Sequence, residues 1–450
     1  MNRACATGEV RTTGFRDLLE ALPESGLGDQ MMATIAELFP ICRSITGEGL
    51  RRSLQILGGV VPLTTTEVPS GAAVFDWTVP REWNVREAWV KDPSGEVVID
   101  FRRSNLHLLN YSAPFHGKVG LETLKRHLHT IPEQPALVPY RTSYYEERWG
   151  FCASQEVVSR LPPGEYEVHV DSSLEDGALT YAEHVVAGST TDEVLLSCHC
   201  CHPSLCNDNL SGMALTATLA RLVGHLRPRY TYRFLFAPGT IGSICWLARN
   251  ETQAHRIKHG LVVACVGDAG PMTYKRSRRG DAEIDRAVAH ILLHAGQRFS
   301  IRNFTPYGYD ERQYCSPGFD LAVGSLTRTP HGEYPEYHTS GDDLSFVHRD
   351  SLIESLRRYL EVLEVLEGNG RYVNLSPRCE PHLGKRRLYG SLGGQSHARE
   401  AQLALLWVLN LSDGRHTLLD IAERAKLPFR SLRAAADALL ASALLRSEPE

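Results

Sequence analysis

What the chain lacks narrows its class. No apolar run is long enough to cross a bilayer, and 42% apolar with 22% charged residues is the composition of a globular protein. Neither sign of charge is in excess. A net charge of -5 over 450 residues argues against a whole-chain attraction to nucleic acid or to an anionic membrane. Cysteine is too sparse for a disulfide scaffold of this length, and the eleven present are an odd number. Met1 to Gly26 carries acids and arginines but no apolar core followed by a cleavage site. Reduced thiols and a cytoplasmic location are therefore expected.

At this length two or three domains are expected. Met31 to Leu38 and Gly49 to Leu57 have helical apolar spacing, broken by Thr46-Gly47-Glu48. From 61 to 169 the pattern changes to short strand-like runs such as Val97-Val98-Ile99 between Pro-Ser-Gly and Pro-Pro-Gly turns, with Trp77, Trp83, Trp89 and Trp149 among them, which predicts a β domain. After Gly177 strands and helices alternate: strands at 194–197, 232–236, 261–266 and 321–326, helices from Ser211 and at 244–249, 281–295 and 352–366. That alternation predicts an α/β sheet with helices on both faces, formed by residues 27–60 and 170–375 around the inserted all-β domain. The Pro, Gly and basic residues of 376–399 suggest a linker. Three helical periods in 400–450 suggest a winged-helix-like domain, whose would-be recognition helix offers only Arg430 and Arg433 as cations. That paucity weighs against nucleic acid and toward packing or dimerisation.

The densest chemistry lies in His199-Cys200-Cys201-His202-Pro203-Ser204-Leu205-Cys206-Asn207-Asp208-Asn209-Leu210-Ser211-Gly212, directly behind the apolar Val194-Leu195-Leu196. Two imidazoles and a carboxylate in a strand-to-helix connection face the crevice beyond the strand ends. Asp268 follows the strand at 261–266, and His338 precedes the last helix of the α/β region. Nitrogen and oxygen donors gathered in this way suit zinc, which can lower the pKa of a bound water to roughly 7. Cys198, Cys200, Cys201 and Cys206 could instead serve a soft metal, but they lack paired Cys-x-x-Cys spacing. Arg43 and its Ser44-Ile45-Thr46-Gly47 turn suit either a substrate carboxylate or a helix cap.

The order of these pieces, continued by Thr240-Ile241-Gly242-Ser243, Tyr309-Asp310-Glu311 and Tyr337-His338-Thr339 with Asp342, resembles that of the co-catalytic zinc aminopeptidases. Leu38 to Gly47, Tyr144 to Phe151 and Asp310 to Tyr314 are similar to a bacterial aminopeptidase-like family whose peptidase domain is interrupted by a β domain and followed by a winged helix. The resemblance implies a zinc-exopeptidase-like fold over nearly the whole chain. It also implies Asp208 as the bridging carboxylate, Asp268 as a second acidic ligand and His338 as the distal histidine. Either His199, by its register behind the strand, or His202, by its closeness to Asp208, fills the first histidine position. Asp342 is expected to orient a ligand histidine.

One departure stands out. Related peptidases carry a Glu-Glu pair before the Gly-Ser turn, as base and ligand, whereas Phe236 to Ser243 holds no carboxylate. One zinc is expected, with a second only if another donor is recruited. Glu311, ahead of Glu333 and Glu336, is the candidate base, and Asp310 and Tyr337 are candidates for substrate contact. The expected activity is metal-dependent, aminopeptidase-type hydrolysis of a small peptide or amino-acylated metabolite. The alternatives are a peptidase-fold protein that binds metal or ligand without efficient turnover, or a sensor with a DNA-binding head. The inserted and appended domains also offer surfaces for a homo-oligomer.

Overall fold

The computed structural model describes residues 14–388 and 395–448. They form two compact units, one of residues 14–280 and 300–357, the other of 281–299, 358–388 and 395–448. Among the described residues no helix is long and apolar enough to cross a membrane.

The first unit is built on an eight-stranded mixed sheet in the order Thr64–Pro69, Ala178–Val186, Thr231–Ala237, Glu193–His199, Ile257–Val263, Val323–Thr327, Met272–Lys275, Phe299–Arg302. Its centre is parallel: Glu193–His199 lies between Thr231–Ala237 and Ile257–Val263, and the latter pairs with Val323–Thr327. Every residue of Glu193–His199 is buried, as a strand covered on both faces requires. Helix Gly212–Val223 packs on this strand and on helix Leu27–Leu38, and helix Ile241–Arg249 packs on Ala178–Val186.

Two differences from the sequence reading follow from pairing partners. Strand Thr64–Pro69, assigned above to the inserted domain, pairs antiparallel with Ala178–Val186 and belongs to the main sheet. The short strands Met272–Lys275, antiparallel to Val323–Thr327, and Phe299–Arg302 extend the sheet at its other edge, and neither is long enough to show a periodicity of its own. The inserted domain is a four-stranded antiparallel sheet in the order Val97–Asp100, Glu82–Lys91, Glu165–Glu175, Phe115–Gly120. Trp83 is buried there and donates its indole N–H to the Ser112 carbonyl at 2.9 Å, whereas Trp77 is exposed.

In the second unit, helices Gln395–Leu411, Leu418–Ala425 and Phe429–Ala441 accompany a three-stranded sheet in which Arg371–Asn374 lies between Asp413–Thr417 and Leu445–Ser447. Arg371–Asn374, read above as the end of the α/β domain, is thus the first strand of the winged helix. The helix beginning at Gln395 starts inside the segment read as a linker. Thr417 and Asp420 form a reciprocal capping box. The two cations of the last helix are occupied: Arg430 pairs with Glu364 at 3.0 Å, and Arg433 pairs with Asp437 and donates to the Tyr372 hydroxyl at 2.9 Å.

His259 sits in the parallel core of the first unit, edge-on to Tyr230, and burial drives its imidazole down to about 3. The unfolded chain then binds a proton that the native chain refuses, so stability is present above the ordinary imidazole value and is lost as pH falls below it. Between pH 7.5 and 5.5 this residue alone should remove about 1.4 kcal/mol from the first unit. Urea midpoints at the two pH values should show His259→Phe losing less stability than the wild type by about that amount.

Candidate metal centre

His199 is the last residue of its strand and lies in register with Ala237 of the neighbouring parallel strand, so it and the Pro238-Gly239 turn emerge at the same sheet edge. The chain then runs through His202 to a tight turn, Cys206 to Ser211, before entering helix Gly212–Val223. Gly212 is required at this entry. A Cβ there would lie 2.3 Å from Asn209 Oδ1 and 2.6 Å from the Val263 carbonyl, so any side chain would push the Asp208 turn off the sheet.

Asp208 is fully buried, with both carboxylate oxygens engaged. Oδ1 lies 2.8 Å from His199 Nε2 and accepts the Tyr309 hydroxyl at 2.9 Å. Oδ2 lies 3.1 Å from His338 Nε2 and 4.0 Å from His202 Nε2. Donor atoms of His199, His202 and Asp208 all fall within 4.8 Å of one another. The two candidates for the first histidine position are thus both present, and three imidazoles surround one carboxylate. Burial by itself would raise the Asp208 carboxyl, but His202 and His199, with the hydrogen bonds from His199 and His338, outweigh it and hold the group well below the usual range. Burial pushes the His202 imidazole well below its ordinary value, which leaves it neutral and able to donate a lone pair.

The surroundings brace this cluster. Asp342 accepts the main-chain N–H groups of Asn207 at 2.5 Å and Asp208 at 2.9 Å, so it holds the Asp208 turn rather than a histidine. Arg43 is completely buried and donates from Nε to the His202 carbonyl at 3.0 Å and from Nη1 to the Leu38 carbonyl at 2.6 Å. That makes it a brace for the histidine loop rather than a hand held out to a substrate. Tyr309 stacks on His199 at 4.6 Å between ring centroids, and Tyr337 stacks on His338 at 3.9 Å.

Asp268 does not join the cluster. Its oxygens accept Asn207 Nδ2 at 3.0 Å, the Gly270 N–H at 2.6 Å and the Thr329 hydroxyl at 2.6 Å. The strand before it ends at Val263, and by residue 268 the chain has turned toward Thr329, so this carboxylate supports Asp208 through Asn207. Cys265 comes nearer: its sulfur is 3.4 Å from the Tyr309 hydroxyl. Tyr309 was quoted in the sequence motif without a role. Its signal was adjacency to Asp310 and Glu311, whereas nothing in the spacing singled out Cys265 or Tyr140.

The candidate carboxylates Asp310 and Glu311 are both buried. Asp310 Oδ1 accepts the Ser243 hydroxyl at 3.0 Å, and Glu311 Oε1 accepts Lys275 Nζ at 2.8 Å. Oδ2 of Asp310 and Oε2 of Glu311 have no hydrogen-bond partner among the described residues. Burial lifts the Asp310 carboxyl to about 6, with Glu311 adding to the rise and His199 and Ser243 opposing it. A Cβ built on Gly239 would lie 3.1 Å from His199 Cβ and 3.7 Å from Asp310 Oδ1. A side chain at position 239 would therefore be tight against His199 and in ordinary contact with a carboxylate from another segment. Glu333 is turned to Arg302 in an ion pair.

The donor set fits zinc: imidazoles grouped around one buried, ionised carboxylate. Residues 32–369 match the family described as a domain of unknown function, DUF4910, and residues 370–447 match a winged helix-turn-helix family. A Clostridium acetobutylicum protein, provisionally described as a polysaccharide biosynthesis protein with an aminopeptidase-like domain, is 50% identical over 94% of this chain and 97% of its own length. A crystal structure from Clostridium acetobutylicum, provisionally described as a peptidase, aligns with a TM-score of 0.91 at 48% identity, over 96% of this chain and 99% of that one. BSAP, a zinc aminopeptidase from Bacillus subtilis, shares the fold at a TM-score of 0.57 and 11% identity, over 75% of this chain and 95% of its own. The architecture is thus an aminopeptidase fold with a winged helix on its C-terminal side, and the chain belongs to the DUF4910 family.

Proposed function

We propose that the chain is a zinc-dependent hydrolase of the aminopeptidase type, acting on an amide bond of a small peptide or amino-acylated metabolite. The observation that carries this reading is the fully buried, doubly engaged Asp208 among His199, His202 and His338. These four residues would hold one zinc, which supplies Lewis acidity and a more acidic water when bound. The single carboxylate, with Asp268 bonded elsewhere, favours one ion over two.

The chain's own groups divide the remaining work. Tyr309 donates a hydrogen bond to Asp208 Oδ1, and its stacking on His199 keeps that ring at the fixed end of its strand. Burial keeps the Tyr337 phenol protonated beside His338, so it can donate a hydrogen bond to a carbonyl oxygen that gains charge. Lys275 fixes Glu311 through Oε1 and leaves Oε2 to take a proton, which suits the general base. Asp310, held by Ser243, has one oxygen left for a substrate amine.

A second reading, a peptidase fold that binds metal or ligand without efficient turnover, is favoured by the bare Gly239-Thr240 turn. Zinc content and release of amino acids from dipeptides, aminoacyl-anilides and amino-acylated sugars separate the two. The sugars enter the panel because of the description carried by the Clostridium acetobutylicum relative. About one zinc per chain with turnover supports the hydrolase; zinc without turnover across the panel supports the binding protein.

Asp208→Ala should abolish both zinc binding and turnover. Asp268→Asn should lower the unfolding midpoint while keeping zinc, and loss of zinc in that folded variant would return Asp268 to the ligand set. Glu311→Gln should retain zinc and lose roughly 10²–10⁴ in kcat, the usual contribution of a general base. An unchanged kcat in Glu311→Gln would move the base role to Asp310.

A further inference from the structure

The loop that carries His338 is held by the inserted β domain. His338 has a left-handed backbone, φ 55°, which a residue with a Cβ adopts only where its surroundings impose it. The surroundings here are residues 134–140. The Tyr140 N–H donates to the His338 carbonyl at 2.7 Å, and the Ser340 N–H donates to the Val138 carbonyl at 2.8 Å. The Ser340 hydroxyl accepts the Val138 N–H at 3.0 Å, and Pro139 bridges to Thr339. Gln134 Nε2 donates to the Pro335 carbonyl at 2.8 Å. A short strap from the inserted domain thus runs beside residues 335–340 and fastens them at four residues.

The same strap delivers a ring to the cluster. Tyr140 is 3% exposed, and its ring lies 5.1 Å from His338 at 88° and 5.1 Å from His202 at 58°. Those are the two imidazoles that face Asp208 Oδ2. Its hydroxyl meets the Tyr144 hydroxyl at 2.9 Å, which fixes the ring from its far end. A rigid ring wedged between two imidazoles limits the rotation of both, and restraints of this kind set how well donor atoms converge.

We propose that Tyr140 is a positioning residue of the metal centre: the inserted domain, through the 134–140 strap and the Tyr140 ring, holds His202 and His338 toward Asp208, so the centre is assembled from two domains. The inference rests on the zinc reading above. It assigns the β domain a part in metal affinity that a spacer or a lid would not have.

The test uses the full chain. Zinc affinity is read by competition with a chromogenic chelator, and ligand geometry by the visible spectrum of the cobalt(II)-loaded protein. Tyr140→Phe keeps the ring and should bind zinc within about twofold of wild type. Tyr140→Leu removes the ring and should bind roughly 10–100-fold more weakly, the usual cost of losing a group that orients a ligand, with shifted cobalt bands. A folded Tyr140→Leu with wild-type zinc affinity and cobalt spectrum overturns the proposal, since a merely structural role would change the unfolding midpoint and neither of these. If Tyr140→Leu does not fold, the double variant Gln134→Ala/Ser340→Ala decides. It loosens the strap without touching the ring, so zinc binding several-fold weaker supports the proposal and wild-type binding overturns it. Absence of zinc from the wild type would instead overturn the hydrolase reading, and this inference with it.

Discussion

An ionised carboxylate buried away from water governs this structure. Taking Asp208 out of solvent is costly unless every lone pair is answered. The fold answers from three directions: His199 from the end of a central strand, His338 from a loop before the last helix of the α/β region, and Tyr309 from a third segment, while Asp342 accepts the main-chain N–H groups of the Asp208 turn and holds it in place. Much of the surrounding architecture is interpretable as support for this one group. Gly212 allows the turn to lie on the sheet, Arg43 holds the histidine loop from behind, and Asp268 supports Asn207. A cluster of imidazoles around such a group is also an arrangement that a zinc ion would stabilise further.

The bare turn at Gly239 takes on meaning from the same crowding. With His199 Cβ on one side and Asp310 on the other, a side chain at 239 would press on His199 by a few tenths of an ångström. Near that turn stands the Asp310 carboxylate, from a separate segment, and Asp310 and its neighbour Glu311 each keep one oxygen without a hydrogen-bond partner among the described residues. Catalytic roles can pass between segments in this way because the chemistry depends on where a carboxylate stands, not on which strand brings it. The winged-helix unit follows a parallel logic: Arg430 and Arg433 lie where a DNA-binding helix would display cations, yet both are tied into contacts within their own unit.

Much of the fold was legible in the sequence. The alternation after Gly177 marked the parallel core because buried strands are continuous apolar runs and their helices are longer and periodic. His199 or His202, with Asp208, Asp268 and His338, were candidates in the sequence, since a histidine behind an apolar strand and a polar turn before a helix are local signals; the structure brings both histidines, Asp208 and His338 together and leaves Asp268 aside. Strand Thr64–Pro69 was not legible as part of the main sheet, because which sheet an edge strand joins is set by its partner, here Ala178–Val186. Arg371–Asn374 was misplaced for the same reason.

By itself, then, the sequence determined the order of elements, the apolar strands of the core, and the residue types gathered at their ends. Those follow from periodicity and turn chemistry, which act over a few residues. Only the tertiary structure decided which donors converge: that His199 and His202 both face Asp208, that Asp268 turns away to Thr329, and that Tyr140, some 200 positions from His338, braces the imidazole from another domain. A side chain's direction depends on where its strand ends and on what packs against it, and neither quantity is local in the chain.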